Sequence, residues 1–92
     1  MIRNRVILFT SYYFATKAET VLIEANQSIL LVATPESLHY ACGLCILCNS
    51  VRLENILGLL AEQQITWSAV YRYEKFSGPY EKLLLENLGE NI

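Results

Sequence analysis

The residues best suited to chemistry lie in one short stretch, from Thr34 to Gly43, which reads Thr-Pro-Glu-Ser-Leu-His-Tyr-Ala-Cys-Gly. Cys42 supplies a thiol, and His39 is the only histidine in the chain. A thiolate is a strong nucleophile and can hold a sulfur atom as a persulfide when it is exposed and electrostatically supported. In a helical turn, His39 is close enough to Cys42 to accept the thiol proton or donate to a bound group. We therefore predict Cys42 as the reactive residue and His39 as its support.

The three cysteines form a C-x2-C-x2-C run, a spacing that can bind a metal or an iron–sulfur cluster when it lies in a loop. Here the run is strand-like, so Cys42 and Cys48 should share one face while Cys45 points to the other. There is no fourth cysteine, so we predict neither a metal nor another cofactor, and we expect Cys45 and Cys48 in the core. A structural role for Cys42 stays open, because free cysteine is often a small buried hydrophobic residue.

Apolar periodicity predicts the elements that position this stretch. Short β-branched and apolar runs indicate strands, whereas apolar residues at three- and four-residue spacing indicate amphipathic helices. Ser11 and the Asn49-Ser50 pair have side chains suited to cap two helices, and Asn26 suits the end of the first. The predicted strands are 5–10, 29–33, 44–48 and 65–73, and a final amphipathic helix is predicted over 80–88.

Two predicted elements have specific inner faces. For the second helix, the expected buried residues are Leu53, Ile56, Leu57 and Leu60. For the fourth strand, strict alternation places one set of residues on one face and the remainder on the other. The first set is Trp67, Ala69, Tyr71 and Tyr73, and the second is Ser68, Val70 and Arg72.

The order β-α-β-β-α-β predicts an α+β fold, namely a ferredoxin-like split βαβ sandwich in which two helices cover one face of a four-stranded antiparallel sheet. Residues 1–78 would form this domain. Residues 79–92 would form a helical tail that packs on the second face of the sheet or on a partner subunit.

This topology brings the first strand-to-helix loop and the Thr34–Gly43 stretch to the same end of the sheet. Ser11 and Tyr12 should then lie near Cys42. The positive end of the first helix can lower the pKa of a thiol and bind an anionic group. Thr34, Pro35 and Gly43 join Ser11 and Tyr12 as the predicted binding residues.

Composition limits the possible partners. The chain has 92 residues, of which 53% are hydrophobic and 17% charged, so we expect a second copy to cover part of its apolar surface. A net charge of −2 with seven scattered basic residues argues against nucleic-acid binding. The apolar runs are too short to span a membrane. Three cysteines, an odd number, without a secretory signal predict a reduced, cytoplasmic protein.

Three groups of residues match the pattern of a known family. They are Lys17-Ala18-Glu19 in the first helix, Tyr71-Arg72 in the last strand, and Thr34, Pro35, Leu38, Cys42 and Gly43 in the stretch between. On these residues, positions 5 to 75 resemble the putative Se/S carrier-like family, small ferredoxin-like proteins related to a domain found beside TusA-type sulfur-relay proteins. Glu36 and His39 stand where that family usually has arginine and serine.

The resemblance implies that Cys42 accepts sulfur or selenium from a donor protein and passes it to an acceptor protein. Such a chain would be a component of a relay rather than an enzyme with its own small substrate. The alternative is a non-catalytic dimeric module that binds a protein or a small ligand and in which Cys42 is structural.

Overall fold

A computed structural model describes residues 2–38 and 43–84 of the chain. Within these residues it forms two α-helices, one short 3-10 helix and five strands. In chain order the elements are β1 (Arg5–Phe9), α1 (Tyr12–Glu24), β2 (Leu30–Ala33), the 3-10 helix (Glu36–Leu38), β3 (Leu44–Cys48), α2 (Ser50–Glu62), β4 (Trp67–Arg72) and β5 (Glu81–Lys82).

The strands form one antiparallel sheet in the order β2-β3-β1-β4-β5. The first four strands have the order of a ferredoxin-like sheet, which confirms the α+β class and the broadly ferredoxin-like architecture. The predicted count of four strands is wrong, because β5 adds a fifth strand beside β4.

Both helices begin as the sequence predicts, and α1 also ends as predicted. The Ser11 side chain accepts a hydrogen bond from the backbone N–H of Phe14 at 3.2 Å, and the Asn49 side chain accepts one from Val51 at 2.8 Å. These contacts satisfy N–H groups that the first turn of a helix leaves unpaired. Asn26 has a φ of 62°, the left-handed conformation expected after a helix.

The two faces of the sheet bury different clusters. The helix-side cluster contains Ile7 and Phe9 of β1 together with the inner faces of both helices, including all four predicted residues of α2. Val6 and Leu8 alternate with them and belong to the second-face cluster. The other members of the second-face cluster are Leu38, Cys45, Leu47, Ala69 and Tyr73, with Val32, Tyr71 and Tyr80 packed against it.

Trp67 does not share a face with Ala69, so the predicted strict alternation along β4 is wrong at this point. The strand register changes between Leu8, which pairs with Ala69, and Phe9, which pairs with Trp67. Two residues of β4 therefore lie opposite one residue of β1, which is a β-bulge. The irregularity places Trp67 on the helix-side cluster while Ala69 stays on the second face.

The predicted helical tail is also wrong over the residues that the structure describes. Gly78 has a φ of +97°, and the Gly78–Pro79 peptide is cis. After these residues the chain runs back along β4 instead of entering a helix. Glu81 and Lys82 form β5, and Arg72 pairs with Glu81 at 2.5 Å. The backbone N–H of Leu83 donates to the carbonyl of Val70 at 2.9 Å, and Leu83 packs on the helix side. The remainder of the predicted tail, residues 85–92, lies outside the described residues.

Candidate functional site

The start of α1 forms one side of the predicted site. Ser11 is extended, with φ −156° and ψ 160°, and its carbonyl accepts the N–H of Ala15 at 3.1 Å. The first turn of α1 contains no acidic side chain that would neutralise the positive end of the helix. Tyr12 is 65% exposed and Tyr13 is 64% exposed. The helix therefore presents N–H groups, positive potential and two aromatic rings to solvent at this end.

The ends of the Thr34–Gly43 stretch form the other side. The N–H of Thr34 donates to the carbonyl of Gly43 at 2.9 Å, which closes the connection at its base. After Pro35 the chain forms the short 3-10 helix Glu36–Leu38, in which the N–H of Leu38 donates to the carbonyl of Pro35 at 3.0 Å. Leu38 is buried in the second-face cluster and holds the 3-10 helix against the sheet.

Strand register brings these two sides to the same end of the sheet. Leu8, near the end of β1, pairs with Cys45, near the start of β3. Ala33, at the end of β2, pairs with Leu44. The end of β1, which leads into α1, therefore lies at the same end of the sheet as the end of β2 and the start of β3, as the topology predicts. Ser11, Tyr12, Thr34, Pro35 and Gly43 all belong to this end.

The two residues predicted to carry the chemistry, Cys42 and His39, lie outside the described residues. Their predicted roles, and the predicted proximity of Cys42 to Ser11 and Tyr12, stay predictions.

The remaining two cysteines are core residues, as predicted. Cys45 and Cys48 are both fully buried, the first in the second-face cluster and the second in the helix-side cluster. Burial raises the pKa of the Cys48 thiol from 9.0 to about 12, although Arg5 and Arg3 lower it in part. Cys48 is thus a neutral thiol at physiological pH and is unsuited to nucleophilic attack.

The cysteine positions also argue against a shared metal ion. Cys45 and Cys48 point to opposite faces of the sheet, so their sulfur atoms cannot both bind one ion within a single subunit. Within residues 2–38 and 43–84, no group of three or more histidine, cysteine or acidic side chains could hold a metal.

A cleft of about 300 Å³ on the second face is a feature that sequence reasoning did not locate. It lies between the 3-10 helix and the Gly78–Pro79 turn. Proline and glycine in the sequence mark that turn, but only the pairing of β5 with β4 shows that Tyr80 returns to the sheet beside Leu38. The residues that line the cleft are Ser37, Leu38, Tyr71, Ser77, Gly78, Pro79 and Tyr80.

Comparison with known families gives a match. Residues 4–72, well over half of the chain, match the family described as Putative Se/S carrier protein-like. The chain belongs to this family. Neither the curated proteins nor the solved structures contain a match to it. No helix within the described residues is long and apolar enough to cross a membrane.

Proposed function

We propose that this Se/S carrier-like protein holds sulfur or selenium on Cys42 and transfers it between a donor and an acceptor protein. Membership of the family is the observation that carries the proposal. The burial of Cys45 and Cys48 supports the choice of Cys42, because a carrier thiol has to be reached by another protein.

In the proposal, the start of α1 gives electrostatic support to this thiol. Cys42 directly precedes Gly43, whose carbonyl receives the Thr34 N–H at the end of the sheet where α1 begins. A positive helix end near a thiol favours its thiolate form, and unpaired N–H groups can bind the anion. In the proposal, the first turn of α1 supplies this support, and His39 accepts the thiol proton or donates to the bound group.

The transfer step balances without an external oxidant or reductant. The Cys42 thiolate attacks the outer sulfur of a persulfide on the donor protein, and a new S–S bond forms as the donor S–S bond breaks. The donor leaves as a thiolate and Cys42 becomes the persulfide. Delivery to an acceptor thiolate repeats the same exchange in the opposite direction.

The intact mass of the protein after incubation with a cysteine desulfurase and cysteine tests the proposal. We expect the mass of one added sulfur atom on the native chain, its loss after treatment with a reductant, and no adduct on Cys42→Ser. Cys45→Ala is the matched control, because it removes a buried thiol and should keep the adduct. An unmodified native chain, or an adduct that Cys42→Ser retains, would contradict the proposal.

The pH dependence of Cys42 alkylation measures the electrostatic support separately. We expect a pKa well below 9.0, the ordinary value for a cysteine thiol. Ser11→Ala should move this pKa back toward the usual value, because the cap orders the first turn of α1. An ordinary pKa in the native chain would instead favour a binding module in which Cys42 is structural.

A further inference from the structure

The two edges of the sheet differ in how they are protected. The β5 edge is two residues long and carries Glu81 and Lys82, and short charged edges are a usual defence against unwanted pairing. The β2 edge, Leu30–Ala33, is longer and has only apolar side chains. Within the described residues nothing pairs with its outer side. An uncharged open edge of this kind is a template for another strand.

Hydrogen-bond parity identifies the backbone groups that β2 presents. The N–H of Thr34 donates to the carbonyl of Gly43, so the backbone N–H and C=O of Thr34 point toward β3. Backbone direction alternates along an antiparallel strand, so Val32 also faces β3, whereas Leu31 and Ala33 turn their N–H and C=O groups outward. The Ala33 carbonyl has one long contact of 3.9 Å with the Cys45 thiol, which leaves its second lone pair for another donor.

A second copy of this chain fits the β2 edge better than a charged strand does. A two-fold axis brings identical residues together, so a charged edge would repel itself whereas β2 does not. When Leu31 lies opposite Ala33 of the second copy, the outward N–H of each of these residues can donate to the outward carbonyl of the other. Val32 then lies at the axis opposite Val32 of the second copy, and Leu30, which is 47% exposed, lies opposite Thr34 of the second copy.

We propose that the protein forms a symmetric dimer by antiparallel pairing of β2 with β2 of a second copy, in the register that places Val32 at the two-fold axis. The two sheets become one continuous sheet. Antiparallel pairing directs the Thr34–Gly43 connections of the two copies toward opposite ends of this interface. The dimer is therefore independent of the proposed carrier chemistry, and either proposal can fail without the other.

Sedimentation equilibrium of two proline variants tests the edge that pairs. Ala33→Pro removes an outward N–H and leaves the hydrogen bonds between β2 and β3 in place. We expect it to raise the dissociation constant of the dimer by about tenfold or more, because each dimer loses two hydrogen bonds. The matched control is Lys82→Pro, which removes an outward N–H at the β5 edge and should leave the dissociation constant unchanged.

Two results would overturn the proposal: a native chain that is monomeric at all concentrations, or an Ala33→Pro variant that associates as tightly as the native chain. Disulfide trapping gives a readout that does not depend on the folding of Ala33→Pro. In a background with Cys42→Ser and Cys45→Ala, which removes the thiol opposite position 32 on β3, Val32→Cys should form a covalent dimer on mild oxidation. Residues of a non-hydrogen-bonded antiparallel pair have Cα atoms close enough for a disulfide. Ser68→Cys, at an exposed position of β4, is the control, and equal trapping at both positions would contradict the register.

Discussion

On one face of the sheet, two 13-residue helices supply the buried side chains, whereas irregular segments contribute to the other face. The helix-side cluster takes its residues from α1 and α2 at helical spacing. The second-face cluster receives Leu38 from a three-residue 3-10 helix and Tyr80 from the segment after the Gly78–Pro79 turn. The first face is thus determined by local periodicity, and the second by how non-local segments return to the sheet.

The second face also contains tyrosine side chains, which bring hydroxyl groups to it. The Tyr73 ring lies 5.9 Å from that of Phe76 and 5.7 Å from that of Tyr80. The Tyr80 hydroxyl donates to the Phe76 carbonyl. Burial raises the pKa of the Tyr73 hydroxyl, and the neighbouring Tyr80 raises it further. An aromatic cluster with hydroxyl groups therefore covers part of this face, close to the cleft and to the 3-10 helix that contains Leu38.

The largest expected effect comes from the helix side. Ile56→Ala should lower the free energy of unfolding by about 2–5 kcal/mol, because Ile56 is fully buried on α2 and its neighbours in two helices and a sheet cannot collapse into the space. Denaturant unfolding followed by circular dichroism measures this change. A loss below about 1 kcal/mol would show that the helix side is more adaptable than its regular packing indicates.

Leu38→Ala tests the second face with a similar change in volume. We expect a smaller loss, about 2 kcal/mol, because the 3-10 helix can move toward the sheet and reduce the cavity. The same unfolding experiment provides the comparison. If Leu38→Ala lowers the free energy of unfolding as much as Ile56→Ala does, the 3-10 helix is as rigid as the α-helices. The contrast between the two faces then disappears.

Alkaline pH offers a third test, on the helix side, through Cys48. Its folded pKa of about 12 lies above the ordinary value of 9.0, so between these values the unfolded chain has released its thiol proton while the folded chain retains it. Alkaline pH therefore favours the unfolded state. The contribution of the protonated Cys48 thiol to the free energy of unfolding is present in full below pH 9.0. It is lost toward pH 12, by about 1.4 kcal/mol per pH unit.

Cys48→Ala removes this contribution, so its free energy of unfolding should fall less steeply than that of the native chain above pH 9.0. Below that pH the two curves should run parallel. Parallel curves over the whole range would mean that the Cys48 thiol ionises as readily in the folded chain as in the unfolded one.

The sequence predicted those parts of the fold that local patterns determine. Side-chain chemistry explains the cap at Ser11 and the left-handed Asn26. Apolar spacing within each element explains the bounds of β3 and the inner face of α2. The positions of both ends of the Thr34–Gly43 connection followed in turn from the order of strands. These are the residues that frame the candidate site.

Two features could not be predicted because they depend on pairing between distant residues. The leucine spacing after Tyr80 is compatible with a helix, but Glu81 and Lys82 pair with β4 as a strand. The hydrogen bond from the Leu83 N–H to the Val70 carbonyl extends this pairing. The bulge opposite Leu8 and Phe9 has no signature in the composition of β4. Such features are decided by which backbone groups find partners across the sheet.

The bulge has a practical consequence for experiments on this chain. It turns the only tryptophan, Trp67, toward the helix-side cluster at the end of the sheet where Phe9 leads into Ser11. Indole fluorescence responds to the polarity around the ring, so this residue acts as a built-in optical probe of that end of the molecule. Changes in its emission can report events beside the Thr34–Gly43 connection without any added label.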